Sequence, residues 1–244
     1  MKSESKIKFI HEPYAPELAM ARRDQARVTN QPMVERPYYF QHTGTGQYFY
    51  DLCGCIGWPS EVTDRDEGLP GYIAIIGIVR PENPDRDYDV STAPFQLLGE
   101  FESKDVPELL TRCLELRQEF GFGIQPNLLR VWFGDPERFV TVLALRNELL
   151  IKQGGERAAI LITPPDDYYT DKIFDNYVRA IRSVILTKRL FFGGCDILRN
   201  RLREFKRDDP TILAVGGLVH SLLCRTTWMD DVQENIFVVG GEYA

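Results

Sequence analysis

The sequence predicts an α/β protein: a mixed sheet with helices on both faces, preceded by an irregular N-terminal extension. Three observations lead there. Tyr72–Val79 is a continuous apolar run rich in β-branched residues, the mark of a central strand buried on both faces. After it, helical and strand-like spacings alternate as far as Ile162. Beyond that the spacing is mostly helical, with a short apolar piece at Leu190–Phe192 before Gly193-Gly194.

Residues Met1–Pro70 form the extension, rich in Pro, Gly, Tyr and Gln. Two aromatic clusters, Tyr38–Phe40 and Tyr48–Tyr50, flank Thr43-Gly44-Thr45-Gly46, the pattern of a β-hairpin or an arm packed on the main domain. The main domain spans residues 71–230, and residues 231–244 form a C-terminal tail. Arg80–Pro94 is a polar loop with a short edge strand near Tyr88–Val90, and Phe95–Phe101 is a strand. Val106, Leu109, Leu110, Cys113, Leu114 and Leu116 make Asp105–Phe120 a helix that stops at Gly121. Leu128–Phe133 is a strand, Pro136–Lys152 a helix broken by Gly154-Gly155, and Ala158–Ile162 a strand. Thr170–Leu186 places Ile173, Phe174, Tyr177, Val178, Ile181 and Ile185 on one helical face. A cationic helix, Asp196–Lys206, and an apolar one, Pro210–Leu223, close the domain. Gly216-Gly217 inside the last helix points to close packing against the sheet, since each glycine costs ~1 kcal/mol relative to alanine.

Composition excludes several function classes. Lys plus Arg number 29 and Asp plus Glu 36, for a net charge of −7. A polyanion approaches nucleic acid only through a local basic face. No apolar run is long enough to span a bilayer, and Met1–Glu12 lacks the apolar core of a signal peptide, so a cytoplasmic location is expected. Thr43–Gln47 lacks the Lys-Ser/Thr ending of a phosphate loop, and no nucleoside triphosphate is expected as a partner. Cys53-Gly54-Cys55 is one residue too close for a zinc knuckle, which leaves ordinary buried thiols. Dinucleotide fingerprint, serine elbow and Cys/His pair are all missing, which removes support for a small-molecule α/β enzyme.

One local pattern occurs three times. Asp105-Val106-Pro107, Asp135-Pro136 and Asp208-Asp209-Pro210 each put an acid just before a proline at the head of a helix. Capping accounts for this: the carboxylate accepts hydrogen bonds from the orphan N–H groups, and proline gives up a donor the helix does not use. A second account comes from position. Asp135 follows strand Leu128–Phe133, at the carboxyl edge where open α/β sheets place ligands, and Asp208 and Asp209 reach the same edge if the last helix packs beside the first strand. Carboxylates meeting there suit Mg²⁺ or Mn²⁺, and a pair of such ions drives phosphodiester hydrolysis.

The order of elements, with Trp132-Phe133-Gly134-Asp135-Pro136 and Lys206-Arg207-Asp208-Asp209-Pro210-Thr211-Ile212-Leu213-Ala214, resembles the C-terminal nuclease domain of tailed-phage terminase large subunits over about Gly71–Arg225. The resemblance implies a ribonuclease-H-like fold. It implies Asp135, Asp208 and Asp209 as catalytic acids, Asp135 and Asp209 as Mg²⁺ or Mn²⁺ ligands, and DNA and other phage packaging proteins as partners. The chain departs from the family at Gly77-Ile78-Val79, where valine stands in place of the first metal-binding aspartate. Asp85, Asp87, Asp89, Glu100 and Glu102 are the candidate replacements. A domain that has lost hydrolysis and kept a binding or assembly role fits Val79 at least as well. The basic run Arg199, Arg203, Lys206 and Arg207 offers a phosphate-contacting patch, against the alternative of a solvated helix face paired with acids such as Asp196 and Glu204.

Overall fold

The computed structural model describes residues 6–11, 38–61, 68–80, 92–120, 131–154, 159–204, 206 and 208–224. Its strands are β1 (Ile7–His11), β2 (Tyr38–His42), β3 (Tyr48–Gly57), β4 (Gly71–Arg80), β5 (Phe95–Ser103), β6 (Val131–Phe133), β7 (Leu161–Thr163) and β8 (Leu190–Phe191). The helices are α1 (Val106–Glu119), α2 (Val140–Gly154), α3 (Ile173–Leu186), α4 (Ile197–Arg203) and α5 (Pro210–Cys224).

The strands form one mixed sheet in the order β1-β2-β3-β4-β5-β8, with β6 and β7 continuing from the second edge of β3. β1 to β5 pair antiparallel in sequence. β6 runs parallel to β3 with Gly54 opposite Trp132 and Cys55 opposite Phe133, and β7 runs parallel to β6. β3 is therefore the strand on which the antiparallel and parallel halves meet. The hairpin expected across Thr43–Gly46 is present, but its second strand runs on to Gly57. The boundary drawn at Pro70 thus falls between two paired strands, β3 and β4, and the extension supplies three strands to the sheet.

Side-chain alternation sends the two faces of the sheet to two cores. Tyr72, Ala74, Ile76 and Ile78 of β4, with Cys53 and Cys55 of β3, pack against α3 and α5. Ile73 and Ile75, with Leu52 and Ile56, pack against α1. The eight consecutive buried residues of β4 are the expected strand buried on both faces. α1 follows its expected range. Asp105 caps it by accepting from the Glu108 N–H at 3.1 Å, and Val106, Leu109, Leu110, Cys113 and Leu116 are its buried stripe.

Several expectations shift. α2 begins at Val140, not Pro136, because residues 136–139 form bends and turns that end with Phe139 at φ 55°. α4 ends at Arg203, short of Lys206. The strand expected over Ala158–Ile162 is β7, Leu161–Thr163. Gly216 and Gly217 face α3 and the preceding turn, not the sheet: a Cβ at Gly216 would lie 2.7 Å from Tyr177 Cβ, and one at Gly217 2.7 Å from Pro165 Cγ. The edge strand expected near Tyr88–Val90, the substitute acids Asp85, Asp87 and Asp89, and the tail 231–244 lie outside the described residues. Among the described residues no helix is long and apolar enough to cross a membrane.

Glu100 on β5 has a structural task. Its carboxylate accepts from the Ile197 and Leu198 N–H groups at 2.7 and 3.1 Å and from the Tyr72 hydroxyl at 2.9 Å. It thereby caps α4 across the fold, while Asp196, at the N-cap position itself, makes no side-chain cap. Glu102 pairs with Arg201 at 2.8 Å in a half-exposed contact. Glu100→Ala removes the acceptor for all these donors and is expected to lower unfolding free energy by about 2 kcal/mol in urea titration. Glu102→Ala should cost under ~1 kcal/mol. Equal losses for the two variants would contradict the long-range cap.

Candidate functional site

β3 and β6 are parallel, so their carboxyl ends lie together, and α5 begins at the same end. A cavity of about 300 Å³ opens there, lined by residues of the β3 end (Ile56, Gly57, Trp58), the β6 end (Gly134, Asp135, Arg138), the turn before α3 (Pro165, Tyr168) and the α5 start (Asp208, Pro210). Ile173, Tyr177, Leu213 and Ala214 complete its wall. Of the acids expected at the strand ends, Asp135 and Asp208 both line this cavity. Asp209 behaves otherwise.

Asp135 is held on several sides. One carboxylate oxygen accepts from the Glu137 and Arg138 N–H groups at 2.8 and 3.1 Å. Its backbone carbonyl accepts from the Trp58 indole at 2.8 Å. Trp58 is buried, with the Phe139 ring 5.5 Å away. Desolvation, with the negative charge of the neighbouring Asp135 carboxylate, holds the Tyr168 phenol above its ordinary value. The Asp-Pro pattern here caps a turn and not a helix, since α2 starts five residues later.

Asp208 and Asp209 part company through the backbone. Asp208 sits at φ 60° and is exposed at the cavity rim. The reversal turns Asp209 inward, where it is 2 % exposed and accepts from the Thr211 N–H at 2.9 Å. Asp209 is the N-cap of α5, and it does not line the cavity.

The residues at this end fit a divalent metal pair poorly. Among the described residues no three of His, Cys, Asp and Glu come together in a metal-holding group. The β3 residue level with Asp135 is Gly57, two positions past the Cys55–Phe133 pair. A Cβ there would stand 2.0 Å from the Pro210 carbonyl oxygen, so the backbone of α5 occupies the space a third carboxylate needs. Val79, where the resemblance would put a metal ligand, lies at the other end of the sheet from Asp135. It pairs with Phe49, whereas Gly57 pairs with Tyr72, seven residues back along β4 or ~23 Å. The antiparallel sense of β4, which an apolar run does not reveal, puts its carboxyl end at the wrong end of the sheet.

The basic run does not gather at the cavity. Arg199 pairs with Asp196 at 2.7 Å and lies 5.2 Å from the Phe192 ring. Arg203 ends α4, Lys206 lies beyond it, and both are exposed. Arg207 lies outside the described residues. Sequence reasoning missed Trp58, Arg138 and Tyr168, which line the cavity from segments without regular structure; an aromatic directly after Gly57 was the available signal.

Cys53 and Cys55 are buried thiols on the α5 face. Burial pushes the Cys55 thiol up to about 12, and burial raises that of Cys113 too. Comparison of the chain with protein-family models, curated proteins and solved structures finds no match. What the coordinates define is a mixed α/β sheet protein with a cavity at the carboxyl ends of its parallel strands.

Two outcomes follow. Asp209→Ala should destabilise by about 1–2 kcal/mol in urea titration, while Asp208→Asn, which keeps a residue tolerant of positive φ, should change stability by less than ~0.5 kcal/mol. Raised thiol values stabilise the fold fully below the unfolded value and less as pH climbs towards the folded one. Stability should therefore decline above about pH 9, and Cys55 and Cys113 should resist a thiol reagent at pH ~8 until the chain is unfolded. Rapid labelling of either in the native protein would contradict their burial.

Proposed function

We propose that this chain is a ribonuclease-H-like domain, related to the nuclease domain of tailed-phage terminase large subunits, that works as a non-hydrolytic binding or assembly module. The observation that carries the reading is the closure of the β3 end. Gly57 stands level with Asp135, and the Pro210 carbonyl fills the place where its side chain would begin. Two-metal hydrolysis needs carboxylates converging on a pair of ions about 3.5–4 Å apart. Asp135 is engaged by the Glu137 and Arg138 N–H groups, and Asp209 by the start of α5.

The kinship part is supported by the antiparallel run β3-β4-β5 with β6 and β7 added in parallel on the other edge of β3, helices on both faces, and Asp135 and Asp208 at one cavity. In this reading Arg199 and Arg203 belong to a solvated helix face, and contacts to DNA or packaging proteins run through other surfaces.

The test is a plasmid-cutting assay of the full chain with Mg²⁺ and with Mn²⁺. The expected result is no cutting above background with either ion, and no difference between wild type and Asp135→Asn. Mn²⁺-dependent cutting that disappears in Asp135→Asn would overturn the reading and restore Asp135, Asp208 and Asp209 as a hydrolytic set.

A further inference from the structure

The cavity at the strand ends has two charged side chains of opposite sign in its lining. Arg138 and Asp208 both line it. Among the described residues neither side chain enters an ion pair, with the other or with a third group. The Arg138 guanidinium lies 5.8 Å from the Phe139 ring, and its backbone N–H, not its side chain, bonds to Asp135. Opposite charges at one small cavity that leave each other unpaired are a complement for a molecule carrying both signs. Asp135 differs, because its carboxylate already has the partners described above.

The rest of the wall is apolar or aromatic. Ile173, Leu213 and Ala214 come from α3 and α5, Trp58 from beyond β3, and Tyr177 is turned away as a donor because its hydroxyl bonds to the Asp166 carbonyl at 3.0 Å. A volume of about 300 Å³ is at the small end of ligand cavities. It suits one compact molecule and not a nucleotide chain.

We infer that this cavity binds a small zwitterion with an apolar side chain, of the free α-amino acid type. Its carboxylate pairs with Arg138, its ammonium group with Asp208, and its side chain lies against Ile173, Leu213 and Ala214. Guanidinium–carboxylate and ammonium–carboxylate contacts are charge-assisted hydrogen bonds, stronger than neutral ones, and they supply selectivity for a ligand with both charges. The inference rests on the non-hydrolytic reading, since it requires Asp208 to be free of metal.

The experiment is isothermal titration of the full chain in EDTA with three probes: L-phenylalanine, 2-phenylethylamine, which lacks the carboxylate, and 3-phenylpropionate, which lacks the ammonium group. L-Phenylalanine should bind saturably, and each analogue should bind at least about tenfold more weakly, the loss expected for one charge-assisted contact. Arg138→Gln should weaken L-phenylalanine about tenfold and leave 2-phenylethylamine unchanged; Asp208→Asn should weaken it similarly and leave 3-phenylpropionate unchanged. Asp208→Asn keeps the side-chain shape, Arg138→Gln keeps a polar but shorter and uncharged side chain, and thermal melting verifies folding of both. Equal affinity for the three probes, no saturable binding up to about 10 mM, or variants that bind L-phenylalanine like wild type would overturn the inference. Because EDTA removes divalent ions, these results are independent of plasmid cutting, which alone decides the non-hydrolytic reading.

Discussion

The seat of α5 on the end of β3 is the constraint from which the site follows. A helix whose first residue lies with its carbonyl oxygen 2.0 Å from a would-be Cβ tolerates only glycine beneath it, and Gly57 is that residue. The same helix is held close on its other side, where Gly216 and Gly217 admit Tyr177 and Pro165. Between these contacts Ile212, Val215, Leu218, Val219 and Leu222 are buried, so α5 forms part of the core and does not swing as a lid. With α5 fixed there, the cavity has a floor of backbone at the β3 end.

A second regularity is how this acidic chain uses its acids. Asp105, Glu100, Asp135 and Asp209 each accept from backbone N–H groups at the start of a helix or turn. A carboxylate in such a position satisfies orphan donors and complements the positive end of the helix dipole. Giving up those bonds to bind a cation would leave the N–H groups unpaired, a cost of about 1–3 kcal/mol for a buried donor. Asp208 escapes the pattern because its positive φ turns it out of the cap that its neighbour makes. Adjacent acids of one sequence motif therefore do different things.

How much of this could be read from the chain depended on the kind of signal. Helix α1 was legible to its cap because Asp105 and the buried stripe are local features. The run of β4 was legible because an unbroken apolar octet has few alternatives. β3 was legible only at its aromatic start, Tyr48–Tyr50: Gly54 and Gly57 interrupt the β pattern beyond it, and both exist for tertiary reasons. Gly54 makes room for the Trp132 ring, 2.6 Å from a would-be Cβ, and Gly57 makes room for α5. With β4 read as the leading strand, the expected metal position fell at Val79, at the opposite end of the sheet from Asp135. The place of Asp135 and Asp208 in the lining of one cavity was legible from their positions after a strand and before a helix, while Trp58, Arg138 and Tyr168 depend on loop geometry that no periodicity encodes.

The central claim is that the α5 backbone rests directly on the β3 end, and Gly57→Ala tests it with one added methyl group. Equilibrium urea unfolding should show a loss of about 2–3 kcal/mol, the scale of overpacking against a backbone that cannot give way. A variant within ~0.5 kcal/mol of wild type would mean that the space is open and that α5 does not close the strand end.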